Sequence, residues 1–197
     1  MSHQILYKQI GSSQGLTISL SLYNHGGIVK EYAIILSERT LIMTELTYDQ
    51  IMNIHSVIVD AAGNTDGVRD SGLVEAALAA PFMTFGGEDP HPSIEEKASI
   101  LCYDLIQNHC FLDGNKRIGV MSMLVFLRIN GVSLSFSDKE LSDLGYGIAS
   151  GVLKKDDIRV WVNTHIESTT DLSTDTPKAM AIAFLNKYKE AFDELSK

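Results

Sequence analysis

The sequence predicts a mainly α protein carrying a β-rich N-terminal arm and a small β-hairpin or flap among its helices. Apolar residues recur at three- and four-residue spacing from Ile51 to Leu195, and Ser or Thr stands three places ahead of Glu or Gln at several helix starts. Period-two alternation, by contrast, is confined to residues 1–40. With 197 residues, 45% of them hydrophobic and 21% charged, the chain has the composition of a globular fold with one buried core.

Leu16-Thr17-Ile18-Ser19-Leu20-Ser21-Leu22 alternates, Asn24-His25-Gly26-Gly27 supplies turn chemistry, and Ile28 to Leu36 resumes a β-like run, so this region reads as a hairpin. Thr47 and Gln50 then form a capping box ahead of Ile51, Ile54 and Ile58, predicting a helix up to the Gly63-Asn64 break. A short helix over Gly72 to Ala80 is stopped by Pro81, and Phe82 to Pro92, with Gly86-Gly87, reads as a loop or flap. Ser93 and Glu96 cap a helix with Ile94, Ala98, Leu101, Leu105 and Ile106 on one stripe, ending near Asn108.

From Ile118 to Leu127 apolar residues occur nearly all round, which describes a helix buried on most sides and ended by Asn130-Gly131. Ser137 with Glu140 caps another, and Ile158, Trp161, Val162 and His165 mark the next. Residues 168–177 read as a linker. The segment Thr176 to Ser196 places Ile182, Leu185, Tyr188, Phe192 and Leu195 on one face that needs a groove.

Several function classes are disfavoured at once. A net charge of −9 opposes general affinity for nucleic acid, which rests on basic side chains meeting phosphates, so no direct nucleic-acid partner is expected. No apolar stretch reaches the ~20 residues of a membrane span, and the first residues show no secretory signal, so the expectation is a cytoplasmic protein without a membrane partner. Cys102 and Cys110 suit neither a disulfide framework nor a zinc site and are read as reduced thiols. His55, His91 and His165 form no zinc-protease spacing.

One run stands apart: His109-Cys110-Phe111-Leu112-Asp113-Gly114-Asn115-Lys116-Arg117, a polar loop between two apolar helices. If it opens the buried helix, the amides of Gly114 to Arg117 lie at a helix N-terminus, where unpaired N–H groups and the dipole attract phosphate. Gly114 lets the chain approach a ligand, and Asn115 tolerates a left-handed turn and can donate an amide hydrogen bond. Lys116 and Arg117 add a mobile charge and a planar fork. Asp113 is the candidate Mg²⁺ ligand, His109 the candidate general base, and Phe111 the anchor of the loop in the core. Each has a plainer competitor: a histidine capping a helix end, an ordinary Asp-Gly-Asn turn, a solvated Lys-Arg pair. Two cations at a helix N-terminus oppose the dipole, however, a cost that an anion between them would offset.

The run His-x-Phe-x-Asp-Gly-Asn-Lys-Arg resembles the signature loop of the Fic/Doc superfamily. The resemblance extends from about Leu46 to His165, through Val68-Arg69-Asp70-Ser71-Gly72-Leu73, Thr84-Phe85-Gly86-Gly87-Glu88 and Phe126-Leu127-Arg128-Ile129-Asn130-Gly131. These stretches look more like death-on-curing (Doc) toxins than the larger Fic adenylyltransferases. The resemblance implies a Fido-type helical bundle, ATP as co-substrate with Mg²⁺, and transfer of part of the nucleotide to a hydroxyl on a target protein. It makes His109 the base, Asp113 the Mg²⁺-linked acid, Gly114, Asn115, Lys116 and Arg117 the phosphate cradle, and Thr84, Phe85, Gly86, Gly87 and Glu88 the target-docking flap.

Two departures from the adenylyltransferase pattern point towards Doc: Lys116 replaces a glycine, and Val120 stands where a second arginine would. In Doc-like members the terminal phosphoryl group is transferred, with elongation factor Tu as the class of target. Gly114, where Doc toxins often carry alanine, keeps adenylylation open. No Ser/Thr-x-x-x-Glu-Gly/Asn inhibitory string occurs, so an antitoxin is the expected restraint. A non-catalytic regulator on the same fold is the third reading. The expected division is an N-terminal β-hairpin extension at 1–44, a Fic/Doc domain at 45–168, and a linker with an amphipathic helix at 169–197.

Overall fold

The structure, a computed structural model, describes the backbone of residues 4–12, 15–24, 27–36, 43–62, 67–169 and 173–197, with side chains from 43 onward except 62 and 169. The chain divides into two units, Met1–Ile42 and Met43–Lys197.

The first unit is an antiparallel sheet of β1 (Gln4–Ser12), β2 (Gly15–Asn24) and β3 (Gly27–Leu36), with β2 in the centre. The expected hairpin is its second half; residues 25 and 26 of the expected turn lie outside the described residues. β1 carries little alternation in its sequence, where Lys8, Gln9 and Gly11 dilute it, yet its register is regular, pairing Tyr7 with Leu20 and Gln9 with Ile18. β2 pairs Ile18 with Ile34 and Leu20 with Tyr32.

The second unit is a helical bundle: α1 (Tyr48–Ala62), α2 (Ser71–Ala79), α3 (Ile94–Gln107), α4 (Asn115–Ile129), α5 (Asp138–Ala149), α6 (Lys155–His165), α7 (Pro177–Lys187) and α8 (Lys189–Glu194). The capping boxes form as the spacing predicts. Thr47 N donates to Gln50 Oε1 at 2.9 Å and Gln50 N to Thr47 Oγ1 at 3.3 Å, while the Ser93–Glu96 and Ser137–Glu140 pairs close the starts of α3 and α5. Residues 63–66, which hold the expected Gly63-Asn64 break, lie outside the described residues.

The central helix is α4. Every residue from Arg117 to Leu127 is buried, so its apolar circumference is surrounded by neighbours rather than by solvent. It lies backbone-close to α3 at Gly119, where an added Cβ would stand 2.4 Å from Ile106 Cγ1 and 3.0 Å from the Cys102 carbonyl. No helix among the described residues is long and apolar enough to cross a membrane. Cys102 and Cys110 are both free thiols inside this core.

The short helix expected up to Ala80 forms as α2 and stops at Ala79, and Pro81 follows in a 3-10 turn, Ala80–Phe82, at whose start its missing N–H costs no hydrogen bond. Two expectations need correcting. The expected linker at 168–177 begins as a strand: β4 (Val132–Leu134) pairs antiparallel with β5 (Ile166–Thr169), so the expected domain edge at 168/169 runs through β5. The last segment is two helices, not one. The chain breaks at Tyr188 (φ −115°, ψ 43°), which turns the apolar face, leaving Ile182 exposed and burying Met180, Ala181, Ala191, Phe192 and Leu195 in the shared core.

Candidate active site

The loop between α3 and α4 is built against a second segment. Val68 and Phe111 form an antiparallel bridge, Arg69 N and Asp70 N donate to the Cys110 carbonyl at 2.9 and 3.3 Å, and Leu112 N donates to the Gly67 carbonyl at 3.0 Å. The Val68–Leu73 stretch is therefore the pairing edge for the loop, which gives the two sequence stretches one structural reason to occur together. Asp70 also caps α2, its Oδ1 accepting from Gly72 N at 2.8 Å.

Phe111 is fully buried, its ring stacked on that of His55 with centroids 4.6 Å apart. The loop thus descends to the core at Phe111 and rises to solvent on either side. His109, exposed at the exit of α3, has φ +49° and is the non-glycine residue with positive φ among the described residues. Left-handed backbone at a side chain with a Cβ is strained, and such strain concentrates at working sites.

Gly114 takes φ +78° as the N-cap of α4. An added Cβ there would meet Arg117 Nη2 at 3.5 Å and Ile118 Cδ1 and Ile58 Cγ2 at 3.7 Å, ordinary contacts, so glycine is required by the backbone rather than by lack of room. Asp113 is exposed and its Oδ1 accepts from Gly114 N at 2.6 Å. In the first turn of α4 the N–H groups of Asn115, Lys116 and Arg117 have no intrahelical acceptor, leaving a positive helix end.

Asn115 departs from expectation. The left-handed position is Gly114, and the Asn115 side chain clasps the loop itself: Oδ1 accepts from Phe111 N and Nδ2 donates to the Phe111 carbonyl, both at 2.9 Å. A two-point clasp of this kind fixes the loop's shape and engages one of the two Nδ2 hydrogens. The spacing of four residues between Phe111 and Asn115 was the available signal.

Lys116 and Arg117 are not a solvated pair. The Lys116 ammonium lies 4.3 Å from the centroid of the Tyr146 ring, and burial, followed by the nearby Arg117 charge, lowers its pKa. Arg117 is only 3% exposed. Its Nε is cut off from solvent and has no hydrogen-bond partner, and burial lowers the guanidinium's pKa while Asp113 opposes the shift. Beside it opens a cavity of about 250 Å³ lined by Ile58, Ala61, Leu185, Phe192, Asp193 and Ser196. The C-terminal helices thus wall the pocket, a contribution the amphipathic pattern announced only as a face in need of a groove.

The flap from Met83 to Pro92 is shaped by a Phe85–Glu88 bridge closed through Gly86 (φ +61°) and Gly87 (φ +87°), the positive angles that a tight hairpin turn needs. Phe85 projects from it, 86% exposed. The base of the flap is held by a residue that periodicity did not reveal: buried Lys97 donates to the Pro81 carbonyl at 2.8 Å and to Asp89 Oδ2 at 2.7 Å, and its Nζ lies 4.9 Å from the Phe82 ring centroid. The hydrogen bond from Lys97 is the main reason Asp89 titrates low.

A model of the Fic/DOC family matches residues 45–127, the span from the entrance of α1 through most of α4. A Protein kinase doc from Escherichia phage P1 is 31% identical over 109 residues, 55% of this chain and 85% of that protein. The chain belongs to the Fic/Doc family. A Toxin Doc from Mycolicibacterium smegmatis is 44% identical over 75 residues, 38% of this chain, and the match spans 58% of that relative's length. The family model's match ends inside α4, so Lys116 lies within the residues it covers and Tyr146, α5 and α8 lie outside them.

The residues present fit a nucleotide phosphate. A buried guanidinium with an orphaned Nε stands beside the left-handed Gly114, where an added Cβ would lie 3.5 Å from Arg117 Nη2, and both adjoin the N-terminus of α4, a setting that favours an anion. Mg²⁺ would be held by Asp113 together with phosphate oxygens and water, the usual arrangement for this ion.

Proposed function

We propose that this Fic/Doc chain is a Doc-like toxin that transfers the terminal phosphoryl group of ATP to a hydroxyl side chain of a target protein, a translation factor such as elongation factor Tu. The observation that carries the reading is Arg117, a buried cation whose Nε lacks a partner and whose Nη2 lies next to Gly114. The two relatives, a Toxin Doc and a Protein kinase doc, lean the same way.

In this reading His109 accepts the proton of the target hydroxyl as its oxygen attacks the γ-phosphorus, and the bond to the bridging oxygen breaks, releasing ADP. Positioning and charge neutralisation dominate such a transfer, and the cradle of Lys116, Arg117 and the α4 amides supplies both. Asp113 would hold Mg²⁺, which when bound would supply further charge neutralisation. The flap presents the target segment through its free edge, by strand addition. An antitoxin partner restrains the protein.

Adenylylation gains nothing from the retained Gly114, because the φ of +78° accounts for that glycine without reference to the transferred group. ATP labelled on the γ- or α-phosphate, incubated with a cell lysate, separates the alternatives. Label from the γ position reaching protein, and lost in His109→Ala, is the expected result; α-label on protein establishes AMP transfer instead, and no label from either supports a non-catalytic regulator.

A further inference from the structure

Lys116 is badly placed for a cation. It stands in the first turn of α4, where the dipole is positive, next to the Arg117 charge, and it is partly removed from water. A lysine ammonium on a four-carbon stem would ordinarily leave such a position for solvent, gaining hydration and rotamer freedom. It lies instead 4.3 Å above the Tyr146 ring, whose negative face stabilises a cation.

The ring is itself held. The Tyr146 hydroxyl donates to the Glu194 carbonyl at 2.7 Å, joining α5 to the end of α8. The neighbouring Gly145 allows that approach: an added Cβ would stand 2.5 Å from Leu195 Cδ2. At the other end of α5, Asp138 Oδ2 accepts from Ala191 N at 3.0 Å, so α8 is tied to α5 at two points. The buried side chains of Phe192 and Leu195 complete the attachment.

We infer that Tyr146 is a positioning residue of the nucleotide site: its ring fixes the Lys116 ammonium for the phosphates, and the α8 terminus fixes the ring. The inference rests on the nucleotide reading given above. It makes the C-terminal helices, which lie beyond the family-matched residues, part of the machinery that sets ATP affinity.

Titration calorimetry with ATP and Mg²⁺ on four full-length proteins tests it: wild type, Lys116→Met, Tyr146→Leu and the double variant. Tyr146→Leu is expected to weaken binding by about 3- to 10-fold, the range of a partly desolvated cation–π contact. The double variant should bind no more weakly than Lys116→Met alone, because the ring acts only through the lysine. Tyr146→Phe, which keeps the ring, should stay near wild type.

A Tyr146→Leu protein that binds ATP as wild type does, while Lys116→Met is impaired, overturns the positioning role and leaves the nucleotide reading intact. Additive losses in the double variant overturn it equally, since the ring would then act elsewhere. Wild type that binds no ATP, or Lys116→Met that binds as well as wild type, overturns the reading of the cradle itself. Should Tyr146→Leu fail to fold, the Lys116 side-chain protons decide: ring current shifts them upfield in wild type, and the shift must persist with ATP bound. Its disappearance on nucleotide binding refutes the proposal.

Discussion

Arg117→Met should make the protein more stable and less able to bind ATP. The guanidinium is 3% exposed and its Nε is unpaired, and burial lowers its pKa although the nearby Asp113 charge opposes the shift. A buried polar group without its hydrogen bond costs about 1–3 kcal/mol, and more when charged. Methionine keeps an unbranched apolar stem against Ile58, Leu185 and Phe192 while removing that cost. For a chain of 150–250 residues each kcal/mol moves Tm by ~2–4 °C, so the variant should melt roughly 2–12 °C above wild type. Scanning calorimetry without nucleotide measures this directly. With ATP and Mg²⁺ at 100 times Kd, wild type should gain about 2.7 kcal/mol by mass action and the variant almost none. A variant that melts several degrees below wild type would mean that Arg117 already has its structural partner, and the argument for an awaited anion would fail.

Other perturbations follow from the same geometry. Gly114→Ala should destabilise by about 1–2 kcal/mol, the cost of a left-handed L-residue, without a clash; a loss beyond about 4 kcal/mol in urea denaturation would show that the Cβ does not fit. Asn115→Ala breaks both bonds to Phe111 and should cost ~1–3 kcal/mol while also abolishing transfer, whereas a fully active variant would refute the clasp. Burial pushes the Cys110 thiol up to about 11, so iodoacetamide at pH 8 should label it only in denaturant; rapid labelling of the native protein would contradict the packing. Glu140 is held down to about 2, chiefly by the backbone hydrogen bond from Ser137, then by the Ser137 hydroxyl and His165. Because its folded pKa is depressed, this stabilisation is present above the unfolded value near 4.5 and disappears as pH falls towards 2, and Glu140→Gln should flatten that part of the stability profile.

The helices were legible because their signals are local. Capping boxes at Thr47, Ser93 and Ser137 depend on residues three apart, and the burial of α4 is written in its uninterrupted apolar run. The loop was legible for the same reason: base, acid, glycine and cations fall within nine residues. What escaped depends on partners far along the chain. β5 is a strand only because β4 lies beside it, and the break at Tyr188 follows from how two helices share one core. Lys97 reads as an exposed helical lysine until Pro81 and Asp89 are brought to it. The distinction between a solvated Lys-Arg pair and a buried cradle likewise required Tyr146 and the C-terminal helices, which stand thirty or more positions away.

The most direct test of the phosphate cradle is a crystal structure with a non-hydrolysable ATP analogue and Mg²⁺. Phosphate oxygens should lie within hydrogen-bond distance of the Arg117 guanidinium and the first-turn amides of α4, with the γ-phosphate facing His109. An analogue bound elsewhere, with the Arg117 Nε still unpartnered, would contradict the account.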